Sequence, residues 1–312
     1  MMVYLVRRTP SGIDLHFGSS APPMGTAAIF NVLLILFLGV AGFAQKAVSR
    51  THRPTSDASL ARGYLTSAFD IDSSDVGPRF RGHDIVGIIN RLRNYPALAE
   101  KSEFESSREY DARKATVQSM KIVGDMIPDS HFAFVVEGNA YPYHLSPTFD
   151  YDADAQLMKV TLWSAEQEFH LGNDVRKMQT VSIHSVSEQG RSYLASNAFG
   201  ATVQVSNSSI RQYGLSFEAE SWVFRRSTSG FDLHFEGIIR MSSDDARRLR
   251  PNLEFLIVCK LTDPWYLGSL HTDAATFDFP EQITIRGQFL QAAVEQLWVV
   301  DRQTGNVIAK FK

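Results

Sequence analysis

From His131 to the C-terminus, apolar residues tend to recur at every second position, and that period restricts the chain to a β-rich fold. Nine segments carry it: HFAFVVEG from His131, QLMKVTLW from Gln156, TVSIHSV from Thr180, ATVQVS from Ala201, SFEAESWVF from Ser216, FDLHFEGII from Phe231, LEFLIVCKL from Leu253, EQITIRG from Glu281 and LWVVDRQTGNVIAKF from Leu297. Ser229-Gly230 and Thr304-Gly305-Asn306 read as turns between paired strands, because Gly and Asn accept positive φ. A short helix is expected at Ser243–Leu249, capped by Ser242 or Ser243.

Ahead of the strands the period is helical. Ile85, Val86, Ile88, Ile89 and Leu92 form one apolar face, which Pro96 interrupts. A second helix is expected to begin near Ser106, where Ser106 and Glu109 have capping-box spacing. Tyr110, Val117, Met120, Val123 and Ile127 would give it a face to lay on a sheet. Phe104 and Tyr110 are its expected anchors, with Glu109 and Arg113 as an i,i+4 ion pair. The fold expectation is therefore α+β and mainly β. It is an antiparallel sandwich or partial barrel with two N-terminal helices on one side, preceded by a hydrophobic signal or anchor segment.

That segment is Ala27–Ala44, eighteen residues without a charge and with Asn31 as its polar side chain. Its length lies at the short end of a membrane-spanning helix and beyond the usual core of a signal peptide. Small residues at Gly42 and Ala44 fit a signal-peptidase site, and export to the periplasm or a periplasm-facing anchor is the preferred reading. The alternative is an uncleaved anchor with Lys46, Arg50 and Arg53 on the cytoplasmic side, which would keep the body cytoplasmic. The expected organisation is an extension over 1–26, the signal or anchor over 27–44, a polar linker over 45–83 and a globular domain over 84–312. The helical entry of that domain runs to about residue 127.

Arg7–Phe17 and Arg225–Phe235 match at eight of eleven positions. Residues ahead of a targeting segment are set aside from the fold, so the first copy is read as an upstream extension instead of a second hairpin. Asp75–Asp84, DVGPRFRGHD, resembles the peptide encoded when a dispersed repeat of bacterial genomes is translated in frame. The resemblance implies a bacterial chain with an inserted or mis-started linker, and makes His83-Asp84 a poor catalytic pair. Lys101–Arg113, KSEFESSREYDAR, resembles a K-x-E-F-E-(S/T)-(S/T)-x-E-(Y/F)-x-A-R segment of uncharacterised bacterial envelope-associated proteins. It implies a shared helical entry to a β-rich body and carries no activity.

Charge and composition narrow the function classes. Residues 1–53 carry net +4, which leaves −7 on the remainder of a chain whose total is −3. An acidic body argues against nucleic acid as a partner. The single Cys259 lies in the apolar run LEFLIVCKL, so there is no intrachain disulfide or Cys-based zinc site. Asp150, Asp152 and Asp154 have the first three carboxylate spacings of a calcium loop. Ala155 stands where that loop needs Gly, and Thr161 where it needs Glu, so a solvated bend before a strand is the competing reading. Ca²⁺ is the one cofactor considered. Arg247, Arg248 and Arg250 form a basic edge, read either as a solvated helix end or as a contact for an anionic surface or acidic partner.

His184 and His234 alternate with apolar neighbours and read as sheet-facing residues. No nucleophile elbow, phosphate loop or dinucleotide fingerprint occurs in the sequence. The leading functional expectation is a non-enzymatic binding or interaction domain of the bacterial envelope. Its partner would be an envelope protein or an anionic surface, with membrane contact through 27–44 if that run is retained. The alternatives are an exported hydrolase with a dispersed Ser/His/Asp site and a cytoplasm-facing anchored protein.

Overall fold

The computed structural model describes residues 63–141, 145–171, 174–218, 223–226 and 233–312. The extension, the apolar run at 27–44 and the first copy of the repeated hairpin lie outside them. Among the described residues there are three short α-helices: α1 (Ile85–Arg93), α2 (Ser107–Ala115) and α3 (Ser243–Leu249). Eleven strands follow chain order: β1 (Phe132–Val135), β2 (Thr148–Asp152), β3 (Leu157–Leu171), β4 (Asp174–Gln189), β5 (Tyr193–Ser196), β6 (Thr202–Phe217), β7 (Arg225–Arg226), β8 (Leu233–Arg240), β9 (Leu253–Asp273), β10 (Glu281–Asp301) and β11 (Val307–Phe311). The fold is mainly β, as the alternating pattern requires.

All eleven strands join one sheet, along the path β1-β9-β10-β6-β4-β3-β8-β7, with β11 on β10, β2 on β3 and β5 on β6. The two layers of the expected sandwich are parts of one continuous sheet, folded so that Phe149 of β2 and Phe235 of β8 meet Phe255 of β9. The purely antiparallel expectation is corrected. β6 and β10 run parallel from Ser206↔Glu281 to Ser216↔Gln291, so the sheet is mixed. A two-residue turn cannot join parallel neighbours, and here the long excursion through β7, β8, α3 and β9 makes the crossover.

β9 and β10 are each 21 residues long and tie the molecule together. Sequence segments that look separate are one bent strand: EQITIRG and LWVV both belong to β10. β9 continues through LTDPWYLGSLHTD because Thr262–Trp265 bulges out, between Leu261 opposite Ala292 and Tyr266 opposite Leu290. A bulge accepts Pro264, which cannot donate to a ladder.

The sheet is buried on both faces where β1, β9 and β10 meet. Phe132, Phe134, Phe255, Ile257, Leu297 and Val299 face the main core, which α1 closes with Ile85, Ile88, Ile89 and Leu92. Their alternates, Ala133, Leu256, Val258, Trp298 and Val300, face the other way onto Phe69. Leu65, Ile71, Val76 and Phe80 pack around that second cluster. Residues from Gly63 onward are thus a cover for the sheet, not the solvated linker expected as far as residue 83. The DVGPRFRGHD segment belongs to that cover, with Asp75 bridging to Asn306 and Gly82 to Phe134.

α2 departs from expectation. Its capping box forms, with Ser106 and Glu109 bonding each other's backbone. The helix ends at Ala115, however, and buries no residue; Val117 and Met120 reach the core from the turn that follows. Phe104 is 89% exposed and anchors nothing. Arg113 pairs with Glu105 at 2.7 Å rather than with Glu109 and donates to the carbonyls of Pro96, Ala97 and Ala99. α3 matches its expected bounds, with Ser242 as the cap.

Candidate functional site

Beyond the main core the sheet curls until β3 comes round to β9. Phe169 from β3, Met178 from β4, Leu267 from β9 and Phe289 from β10 fill the inside of that curl. Side chains inside a curled sheet come from every second residue of each strand. Gly214 and Gly287 are required here, because a Cβ on either would collide with the Phe289 ring and a neighbouring strand. No backbone ladder joins β3 to β9 among the described residues, so the curl stays open as a slot.

A trough of about 1140 Å³ lies along that slot, lined by Gln167, Gln212 and Ser269, by the charged Glu166, Glu168 and Arg286, and by the apolar Leu145, Leu270 and Ile285. Gln167 on β3 accepts from Ser269 Oγ on β9 at 3.1 Å and donates through Nε2 to Gln212 Oε1 on β6 at 3.3 Å. Gln212 in turn donates to the carbonyl of Tyr141 at 2.8 Å. Three side chains thus form one relay across the opening. On the opposite face of β10 from the relay, Gln288 Oε1 is buried without a hydrogen-bond partner. A buried acceptor left unpaired costs about 1–3 kcal/mol. Tyr266 also lines the trough, and burial pushes its phenol above the usual tyrosine range against the opposing pull of Arg93.

A second cleft, of about 780 Å³, opens where the 63–83 cover meets β4 and β6. His184 Nδ1 lies 2.8 Å from Glu137 Oε2, and the ring stacks on Tyr213. The hydrogen bond to Glu137 raises the imidazole above its usual range, against partial burial. Burial likewise pushes the Glu254 carboxyl up, opposed by Arg302 at 3.4 Å. Arg79, Arg81 and Arg211 complete a cleft of mixed charge, with Arg211 paired to Glu188.

Of the residues singled out from sequence, His83, Asp84 and His184 line the second cleft, and the candidate metal and partner residues lie at neither site. Asp150 and Asp152 are exposed on β2, whose turn into β3 is tightened by Asp152 Oδ1 accepting from the amides of Asp154 and Ala155. Among the described residues no group of three or more His, Cys, Asp or Glu side chains could hold a metal ion. Arg247 and Arg248 pair with Asp244 and Asp245 one turn earlier, and Arg250 reaches Asp150 at 3.6 Å. His83 is buried, with Nε2 3.0 Å from the Ser67 carbonyl and Nδ1 accepting from the Ala133 amide at 2.9 Å. Asp84 caps α1. The two neighbours therefore have separate structural tasks. Arg225 and Arg226 form β7, antiparallel to β8 opposite His234 and Leu233, while the expected turn at Ser229-Gly230 lies outside the described residues.

Sequence reasoning missed Gln167, Gln212 and Ser269. Their signal is a polar residue at an inward position of a strand, visible once the face of each strand is known. It also missed that His184 has a carboxylate partner, since Glu137 lies 47 residues away. Comparison with protein-family models, curated proteins and solved structures finds no match to this chain.

Proposed function

We propose that this chain is a non-enzymatic binding protein of the bacterial envelope, and that its trough takes an extended, uncharged, hydroxyl-rich ligand such as a stretch of polysaccharide. The observation that carries this reading is the Gln167–Gln212–Ser269 relay across the opening of the trough. Amide side chains both donate and accept, which matches the hydroxyl groups of a sugar. Such a site holds its ligand by geometry and needs no net charge.

Against the hydrolase alternative, His83, His131, His184 and His271 bond carboxylates or backbone groups, and no described histidine ring is paired with a described hydroxyl. A nucleophile–base pair is what acyl or glycosyl transfer by a serine would need. Export rests on Ala27–Ala44 with its small residues at Gly42 and Ala44. A mature terminus near Gln45 in the periplasmic fraction of a Gram-negative host is the expected result. An intact terminus in the membrane fraction would favour the anchored alternative.

The binding test is calorimetric titration of the protein with neutral oligosaccharides. Gln167→Leu is expected to weaken binding about two- to tenfold, the value of one hydrogen bond. Equal affinity in wild type and Gln167→Leu would remove the trough from the interaction, and release of shortened sugars would make the protein an enzyme.

A further inference from the structure

Nine large apolar side chains are exposed among the described residues, and six of them lie on two adjacent hairpins at one end of the sheet. Tyr193, Leu194 and Phe199 belong to the β5–β6 hairpin, while Leu270, Phe277 and Phe279 belong to the β9–β10 hairpin. The parallel register sets Ser206 beside Glu281, and the Ser206 amide donates to the Pro280 carbonyl at 2.9 Å. Tyr193 Oη donates to Gln282 Oε1 at 2.9 Å. The two hairpins are therefore held side by side by bonds at their bases. Phe199 is 95% exposed and Phe279 77%. Single exposed apolar residues need no explanation, but a concentration of them does.

Charge narrows what covers this end. Ser192–Val205 runs fourteen residues without a charged side chain, and Asp278 is the one charge between Ala274 and Pro280. Behind the tips, Arg191 and Arg286 are matched by Asp273 and Glu281. A patch that docks on an anionic lipid surface or an acidic protein carries Lys and Arg among its apolar residues, and this one does not. Aromatic side chains at the ends of loops suit the headgroup level of a bilayer, where apolar bodies are buried at any orientation. The same chain carries the apolar run Ala27–Ala44, and the eighteen residues from 45 to 62 reach at most roughly 60 Å when fully extended. A retained run would hold the body within that distance of a membrane.

We propose that the β5–β6 and β9–β10 hairpin tips insert into the interface of an uncharged, zwitterionic lipid bilayer, with Phe199 and Phe279 as the deepest side chains. This surface is separate from the trough and does not depend on the ligand proposed for it.

The test places a single environment-sensitive fluorophore on the full chain through Phe199→Cys or Phe279→Cys. Phe104→Cys, an exposed Phe away from both hairpins, is the control. Cys259 is fully buried and stays unlabelled in the folded protein. Each labelled protein is mixed with phosphatidylcholine vesicles, with and without lipids brominated along the acyl chain. The expected result is a blue shift at 199 and 279 with quenching by bromolipid, while the label at 104 keeps its aqueous emission. Because the readout is specific to position, membrane association through residues 27–44 does not imitate it. Labels at 199 and 279 that stay as aqueous as the one at 104 on vesicle-bound protein would overturn the proposal. So would a shift that needs no lipid and grows with protein concentration, which would assign the surface to a second copy. A shift that appears only when phosphatidylserine is added would overturn the uncharged bilayer as occupant.

Discussion

At His83 the ring bridges the Ser67 carbonyl and the Ala133 amide, and burial lowers its proton affinity. At His184 the hydrogen bond to Glu137 raises it. The unfolded chain titrates both near 6.5. For His83 the unfolded state takes up its proton first as pH falls, so its contribution to stability is complete above about 6.5 and is lost toward the lower folded value. For His184 the contribution is complete below about 6.5 and is lost as pH rises through the higher folded value. Two outcomes are expected from NMR titration and from melting curves across pH. The His184 ring titrates above 6.5 in the folded protein while His83 stays neutral well below it. His184→Gln lowers the melting temperature on the acid side and not on the alkaline side. A His184→Gln deficit that is constant with pH would show that the pair is not ionic. At this scale the sequence was readable where partners are close along the chain, as in the Ser106–Glu109 capping box. It was misread where they are not: Arg113 left Glu109 for Glu105 and three carbonyls that the chain path brought within reach.

Among the elements, the 63–83 cover has the largest consequence. Its polar composition reads as a linker, yet Phe69 meets Trp298 with ring centres 4.9 Å apart. Lys310 Nζ donates to the carbonyls of Ile71 and Ser73 and sits 3.8 Å from the centre of the Trp298 ring. One lysine thus fixes the cover to β11 and to the sheet beneath. Phe69→Ala is expected to lower stability by about 3 kcal/mol in urea unfolding, by leaving a cavity over Trp298. It should also speed proteolysis within 63–83 before the sheet unfolds. A loss below about 1 kcal/mol would mean that the cover contributes little to holding the sheet. The signal for this element was present in LEFLIVCKL. That run is apolar at consecutive positions, as strands buried on both faces are, so the sheet needed a cover on each side. α1 supplies one, and the other had to come from a segment whose few apolar residues are spaced among polar ones.

Across the whole molecule, β9 and β10 run from the two-sided core to the curled end that holds the trough and the hairpin tips. Both ends of the sheet are built on these two strands. Urea denaturation is therefore expected to give one transition, with the same midpoint by tryptophan fluorescence and by far-ultraviolet circular dichroism. Trp298 reports the core in that experiment. Two separated midpoints would show that the curled end opens alone. The repeated apolar alternation after His131 by itself determined that the body is mainly β, and local signals determined the cap of α2, all of α3 and the β10–β11 turn at Gly305. These follow from a few residues in contact along the chain, where the backbone's own geometry decides. The parallel pairing of β6 with β10, the merging of short segments into 21-residue strands and the amide relay of the trough were decided only by the tertiary structure. Each depends on residues tens of positions apart meeting on one face, and strand alternation gives the face of a side chain without naming the strand that will lie beside it.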